Sequence, residues 1–215
     1  MTAVFWDLDD TLLNTLPGRM RALAHAYEQC LGCPTDPLEL WRSHRGGSLE
    51  SLAERLVGAD ALRFTTAYRS YYFRSRSMAA AYCGVADVLA VATDLGVRHA
   101  VVTSKVAWGA TEELAEAGLL EFFEAVVGAD DTERHKPEPD PIYAAMERLC
   151  LDDPRSVLFV GDSPADVWAA RNAGCRSVAA LWGTVDAGLL LEASPEFQVQ
   201  EPRELLDIFR EVASQ

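Results

Sequence analysis

From Gly84 onward the chain alternates between short apolar runs and longer amphipathic ones, and this alternation limits the fold more than any single motif. A helical pattern over 85–95 leads to the strand-like HAVVTS, and WGATEELAEAG leads to the weaker AVVGA. A third helical pattern over 140–150 leads to SVLFVGD, a fourth over 164–173 to SVAALWG, and FQVQ precedes a terminal helix. Strands that alternate with helices of this length form a parallel sheet covered on both faces. Residues 3–7 add one more buried strand.

Between that first strand and the alternating region, the pattern is helical. TLPGRMRALAHAYEQCLG predicts a helix with Thr15 at its N-cap and Pro17 in the first turn. Leu16, Met20, Leu23, Ala24, Tyr27 and Leu31 fall on one of its faces. More helical patterns run to about residue 78, broken by CPTDP and RGG, and no strand is expected between 14 and 80. The expectation is an α/β, Rossmann-like parallel-sheet core, residues 1–13 and 82–215, with an inserted all-helical segment, residues 14–81.

Composition narrows the class. The chain has 215 residues and a net charge of -14, which argues against a nucleic-acid surface, since that needs basic residues to replace counterions. A small substrate held through a metal ion is compatible, because the ion brings positive charge locally. No apolar run approaches the ~18 residues of a membrane span. No basic stretch followed by an apolar run opens the sequence, so a cytoplasmic protein is expected. The five cysteines have no disulfide-framework spacing, and CLGC at 30–33 reads as a helix end with Gly32 and Pro34 as stop signals. Of 19 basic residues only Lys105 and Lys136 are lysine, which suggests places where a compact ammonium is needed. Oligomeric state is not legible from any of these features.

In open parallel sheets, ligands bind at the carboxyl ends of the strands. That rule selects Asp7 and Asp9 after the first apolar run, Thr103 and Ser104 after the second, and Asp162 after VLFVG, with Lys136 in the HKPEPD loop. If the strand period persists, Asp7 and Asp9 point one way and Leu8 back into the core. Two neighbouring carboxylates repel, and a divalent cation relieves the repulsion. All-oxygen ligands suit Mg²⁺, which binds through one or two carboxylates plus a phosphate, with Asp162 completing the shell.

These residues resemble the motifs of the haloacid dehalogenase-like superfamily of phosphohydrolases: DLDDT the first, VVTS the second, Lys136 in KPEP the third and GDSPADV the fourth. The resemblance covers nearly the whole chain, the helical insert being similar to that superfamily's α-helical cap. GVADVLAVATDLGVRHAVVTSK and PEFQVQEPREL add similarity to the phosphoglycolate phosphatase-like branch. The resemblance implies a Mg²⁺-dependent phosphatase of a small phosphorylated metabolite. Asp7 would be the nucleophile that forms an aspartyl-phosphate, and Asp9 the acid and then the base. The metal would sit on Asp7, Asp162 and the backbone carbonyl of Asp9. Thr103 and the Ser104 amide would hold phosphoryl oxygens, and Lys136 would neutralise Asp7 and the transferring group. The alternatives are a phosphomutase of the same superfamily and a non-catalytic phospho-acceptor module. A dehalogenase would need no acid such as Asp9.

Other residues have plainer readings. Asp10 reads as a turn former, since many relatives carry glycine there. Ser163, Pro164 and Asp166 make a capping pattern, so Asp166 either caps the helix, orients the metal shell, or does both. Lys105 is expected to serve the helix start or nearby carboxylates, His135 to lie exposed in a loop, and His25 and His99 to be structural. Arg42 and Arg45, beside a glycine pair, stand either as contacts to a substrate carboxylate or second phosphate, or as a solvated loop. Phe64, Tyr68, Tyr71 and Tyr72 share a helical face and read as core of the insert. The insert is expected to choose the substrate by closing over the strand ends.

Overall fold

The computed structural model describes residues 3–44, 49–75 and 79–213. By internal contacts the chain divides into two compact units, residues 1–14 with 80–215, and residues 15–79.

The larger unit holds a six-stranded sheet in the order β3-β2-β1-β4-β5-β6, all neighbours parallel. The strands are β1 (Ala3–Trp6), β2 (Arg98–Val102), β3 (Ala125–Val127), β4 (Val157–Gly161), β5 (Arg176–Ala180) and β6 (Phe197–Val199). Both β1 and β4 are buried at every residue, as a central parallel strand covered on two faces requires. The chain leaves β1 towards β2 and β3, then crosses back to place β4 on the other side of β1. A reversal of this kind opens a crevice at the carboxyl ends of β1 and β4.

Alternation along β1 sorts the core. Val4, Trp6 and Leu8 pack in one layer with Val88 and Leu89 of α5 (Val85–Asp94) and with Leu205 and Phe209 of α10 (Leu205–Ala213). Ala3 and Phe5 pack in the other with Ile142 and Ala145 of α7 (Asp140–Arg148) and Ala169 and Ala170 of α8 (Pro164–Ala173). Burying each large apolar side chain contributes roughly 1.5–3 kcal/mol. Helix α6 (Ala107–Glu116) follows β2, and α9 (Ala187–Glu192) follows β5. The sequence pattern did not reveal α9: at six residues it is too short to display a helical period, although Asp186 caps it by accepting from the Leu189 amide.

In the smaller unit are α1 (Leu16–Leu31), α2 (Pro37–Ser43), α3 (Leu49–Val57) and α4 (Ala61–Ser75). Leu23, Ala26, Leu52, Ala53 and Phe64 form its core, with Tyr68 packed against it. Tyr72 is buried and stacks on Tyr68, while Tyr71 stacks on His25 with ring centroids 4.7 Å apart. Two details of α1 differ from expectation. Leu31 is 46% exposed, and Ala26 and Cys30 pack in its place, because the buried face runs through Met20, Leu23, Ala26, Tyr27 and Cys30. Thr15 stands at the N-cap, but its side chain makes no capping bond. Gly32 ends the helix as expected, at φ 72° with its amide donating to the Glu28 carbonyl. Arg42 is exposed in the last turn of α2, and Arg45 lies outside the described residues. Among the described residues no helix is long and apolar enough to cross a membrane.

Candidate active site

The hydrogen-bond ladder of β1 runs one step past the strand, with the Asp7 amide donating to the Val160 carbonyl at 2.9 Å. Asp7 is thereby fixed beside the end of β4. The chain then turns sharply: the amides of Leu12 and Leu13 both donate to the Leu8 carbonyl, and Asp10 adopts φ 60°. That left-handed conformation favours glycine, which fits Asp10 as a turn residue. Gly183, after β5, braces the turn so closely that a Cβ there would lie 1.6 Å from the Asp10 carbonyl oxygen. The neighbouring Trp182 indole donates to the Thr11 carbonyl at 2.9 Å.

Lys136 is the centre of the site. Its ammonium donates to Asp7 Oδ1 at 2.7 Å, to Asp166 Oδ1 at 2.7 Å and to the Val102 carbonyl at 3.2 Å, so each of its three protons has an acceptor. Burial works against the charge on Lys136, but Asp166 and Asp7 outweigh it and hold its pKa above the ordinary lysine value. Burial, with repulsion from Asp166 and Asp9, pushes the Asp7 carboxyl above the usual carboxylate range against the pull of Lys136.

Asp166 serves two ends. Its Oδ2 accepts from the Ser163 amide at 3.0 Å and the Ser163 hydroxyl at 2.6 Å, capping α8, while Oδ1 faces Lys136. Asp7, Asp162 and Asp166 each offer an oxygen, and these atoms lie within 4.8 Å of one another. An all-oxygen set of this kind fits a hard divalent cation.

The Asp9 carboxylate lies outside that group. It pairs with Lys105 at 2.8 Å, and Lys105 also bonds to the buried Glu113 of α6. The role expected for Asp9 in metal binding uses its backbone carbonyl, so the side-chain pairing leaves that expectation in place. Thr103 is buried at the end of β2, where its hydroxyl accepts from the Lys105 amide at 3.2 Å. Ser104 beside it is exposed. His135 is exposed in its loop. His99 is buried against Trp6 and Phe123.

Two contributors escaped the sequence analysis. Thr11, inside the first motif, donates its hydroxyl to Asp162 Oδ1 at 3.2 Å and ties the β1 turn to the β4 loop. Glu113 is the other. The stripe Ala110, Glu113, Leu114, Ala117 puts it on an apolar helix face, and that is the signal that could have marked it.

Comparison with known proteins agrees with this geometry. Residues 4–180 match the family model of the haloacid dehalogenase-like hydrolases. The chain is 34% identical over 223 residues to a protein of Caldanaerobacter subterraneus named "Putative pyrophosphatase PpaX", covering 98% of this chain and 95% of that one. It is 32% identical over 218 residues to the phosphoglycolate phosphatase of Chromobacterium violaceum, covering 97% and 96%. A crystal structure from Haemophilus somnus, described as a predicted phosphoglycolate phosphatase, superposes with a TM-score of 0.89 over 97% of this chain and 98% of that one. At 24% identity that likeness speaks for the fold. The chain is an enzyme of the haloacid dehalogenase-like hydrolase family.

Proposed function

We propose that the protein is a Mg²⁺-dependent phosphatase of small phosphorylated metabolites that works through an aspartyl-phosphate. One observation carries this reading: a buried ammonium, Lys136, stands 2.7 Å from both Asp7 and Asp166 inside a group of carboxylates at the sheet's switch point. A cation and a cation-binding carboxylate set at one place suit a transferring phosphoryl group.

In this reading a carboxylate oxygen of Asp7 attacks phosphorus and the bond to the ester oxygen breaks. Asp9 gives its proton to the departing alkoxide. Water then attacks the acyl phosphate and passes its proton to Asp9, which frees inorganic phosphate and restores Asp7. Thr103 and the Ser104 amide hold the phosphoryl oxygens, and Lys136 offsets the charge on Asp7. Mg²⁺, held by Asp7, Asp162 and the Asp9 carbonyl with Asp166 behind them, supplies positive charge against the phosphoryl oxygens when bound. The catalytic core in this reading is residues 1–13 and 82–215, and the helical segment 14–81 is a cap that selects the substrate. Phosphoglycolate, nucleoside monophosphates and sugar phosphates are the candidates, and the relatives' names add pyrophosphate.

The test is phosphate release from a panel of these compounds by purified protein with Mg²⁺. Turnover of at least one, abolished by EDTA and restored by Mg²⁺, is expected, with none in Asp7→Asn. No phosphate from any compound, an isomerised sugar phosphate instead, or wild-type turnover by Asp7→Asn would overturn the reading.

A further inference from the structure

The chain has only two lysines, and each bridges two carboxylates at the carboxyl edge of the sheet. Lys136 holds Asp7 and Asp166, whose carboxylates belong to the group of three that converge with Asp162. Lys105 holds the carboxylates of Asp9 and Glu113, which lie outside that group. The lysines thus sort the acidic residues into two sets. Glu113 is 3% exposed and its carboxylate accepts from Lys105, so the ammonium is fixed to α6. At this depth a charge without a counter-charge is costly, which makes the Glu113–Lys105 pair a firm anchor. The backbone amide of Lys105 also donates to Thr103 Oγ1, so the anchor reaches the residue at the end of β2.

We propose that Lys105, anchored by Glu113, is a positioning residue that holds the Asp9 carboxylate apart from the metal-binding carboxylates and in place for the ester oxygen. The inference rests on the acid–base role proposed for Asp9. Without Lys105, Asp9 would lose the ammonium 2.8 Å from its carboxylate, and with it the tie through that ammonium to Glu113 of α6.

The experiment compares wild type, Asp9→Asn, Lys105→Met and the double variant on two esters, an alkyl phosphate and p-nitrophenyl phosphate, with Mg²⁺. An activated aryl leaving group needs little protonation, so loss of a positioned acid is felt mainly on the alkyl ester. Lys105→Met is expected to lower kcat on the alkyl ester by ~10-fold or more, a fraction of what a full acid–base group supplies. On the aryl ester the fall should be smaller, and KM should change little on both. In the Asp9→Asn background, Lys105→Met should add no further loss, because it acts through Asp9. If Lys105→Met does not fold, Lys105→Met/Glu113→Leu removes both buried charges and carries the same expectation. An equal fall on both esters, or a loss that adds in full to that of Asp9→Asn, overturns the inference alone. An Asp9→Asn enzyme with no preference between the esters overturns the reading of Asp9 and the inference with it.

Discussion

Gly161, the last residue of β4, faces the Asp166 side chain so closely that a Cβ on it would stand 2.4 Å from the Asp166 Cγ. The same carboxylate caps α8 and pairs with Lys136, so a methyl group here strikes a cap and a site at once. Gly161→Ala is expected to lose ~1–3 kcal/mol of stability, the range for overpacking a full interior. It should also lose at least ~10-fold in kcat through displacement of Lys136. Urea midpoints and phosphate release check the two losses, and an Ala variant with wild-type kcat would show that the Asp166 position is not critical.

Lys136→Met leaves Asp7 and Asp166 facing each other in a buried site with no cation between them. Breaking one partner out of a buried ion pair typically costs about 3–5 kcal/mol. A fall of that order in the urea unfolding free energy is expected, together with loss of turnover. A variant as stable as wild type would mean that Asp7 and Asp166 are not both ionised around the ammonium.

The parallel sheet and the positions of Asp7, Thr103, Lys136 and Asp162 were legible because strand–helix alternation and the rule about strand ends need only local patterns. What stayed hidden depends on pairings across the fold. The Asp9–Lys105 pair joins residues after two neighbouring strands, and its closeness is set by register, Trp6 lying beside Val101. Glu113 was overlooked because a glutamate in a helix is ordinarily solvated, and only a partner arriving from another element makes its burial tolerable. Asp166 was open between cap and site, and the structure gives each oxygen of its carboxylate one of those partners.

Mg²⁺ binding is expected to stabilise the folded protein, since only there do the oxygens of Asp7, Asp162 and Asp166 lie together. At a hundredfold excess over the dissociation constant the gain is about 2.7 kcal/mol. A thermal melt of the wild type should therefore move up with added Mg²⁺, and Asp162→Ala should move little. An equal rise in both proteins would place the ion elsewhere.

Cys175 is buried, and burial with the nearby Asp153 charge pushes its thiol up to about 12. At pH 8 only about one part in ten thousand of such a thiol is thiolate, the reactive form. Cys33, Cys83 and Cys150 are exposed. Brief iodoacetamide treatment followed by peptide mapping should mark those three and spare Cys175 until the protein is unfolded. Labelling of Cys175 at the rate of Cys83 in the native state would contradict its burial.

His99 links the fold to pH. The Trp6 indole can only donate, and it donates to His99 Nδ1 at 3.2 Å, so the neutral ring carries its proton on Nε2. A second proton, on Nδ1, would break that bond inside the core. Burial, opposed by the charge of Glu124, accordingly lowers the pKa of His99 from 6.5 to about 4. Because the folded value is the lower one, the unfolded chain takes up this proton first as pH falls. The stabilisation from keeping His99 neutral is complete above pH 6.5 and is lost progressively as pH drops towards 4. A gap of this size corresponds to roughly 3 kcal/mol across the window. His99→Gln can still offer an amide oxygen to Trp6 but has nothing to titrate. Plotted against pH, its urea unfolding free energy should fall less steeply between 6.5 and 4 than that of the wild type, while carboxylate titrations contribute to both alike. Parallel curves would show that His99 does not set the acid limit of this fold.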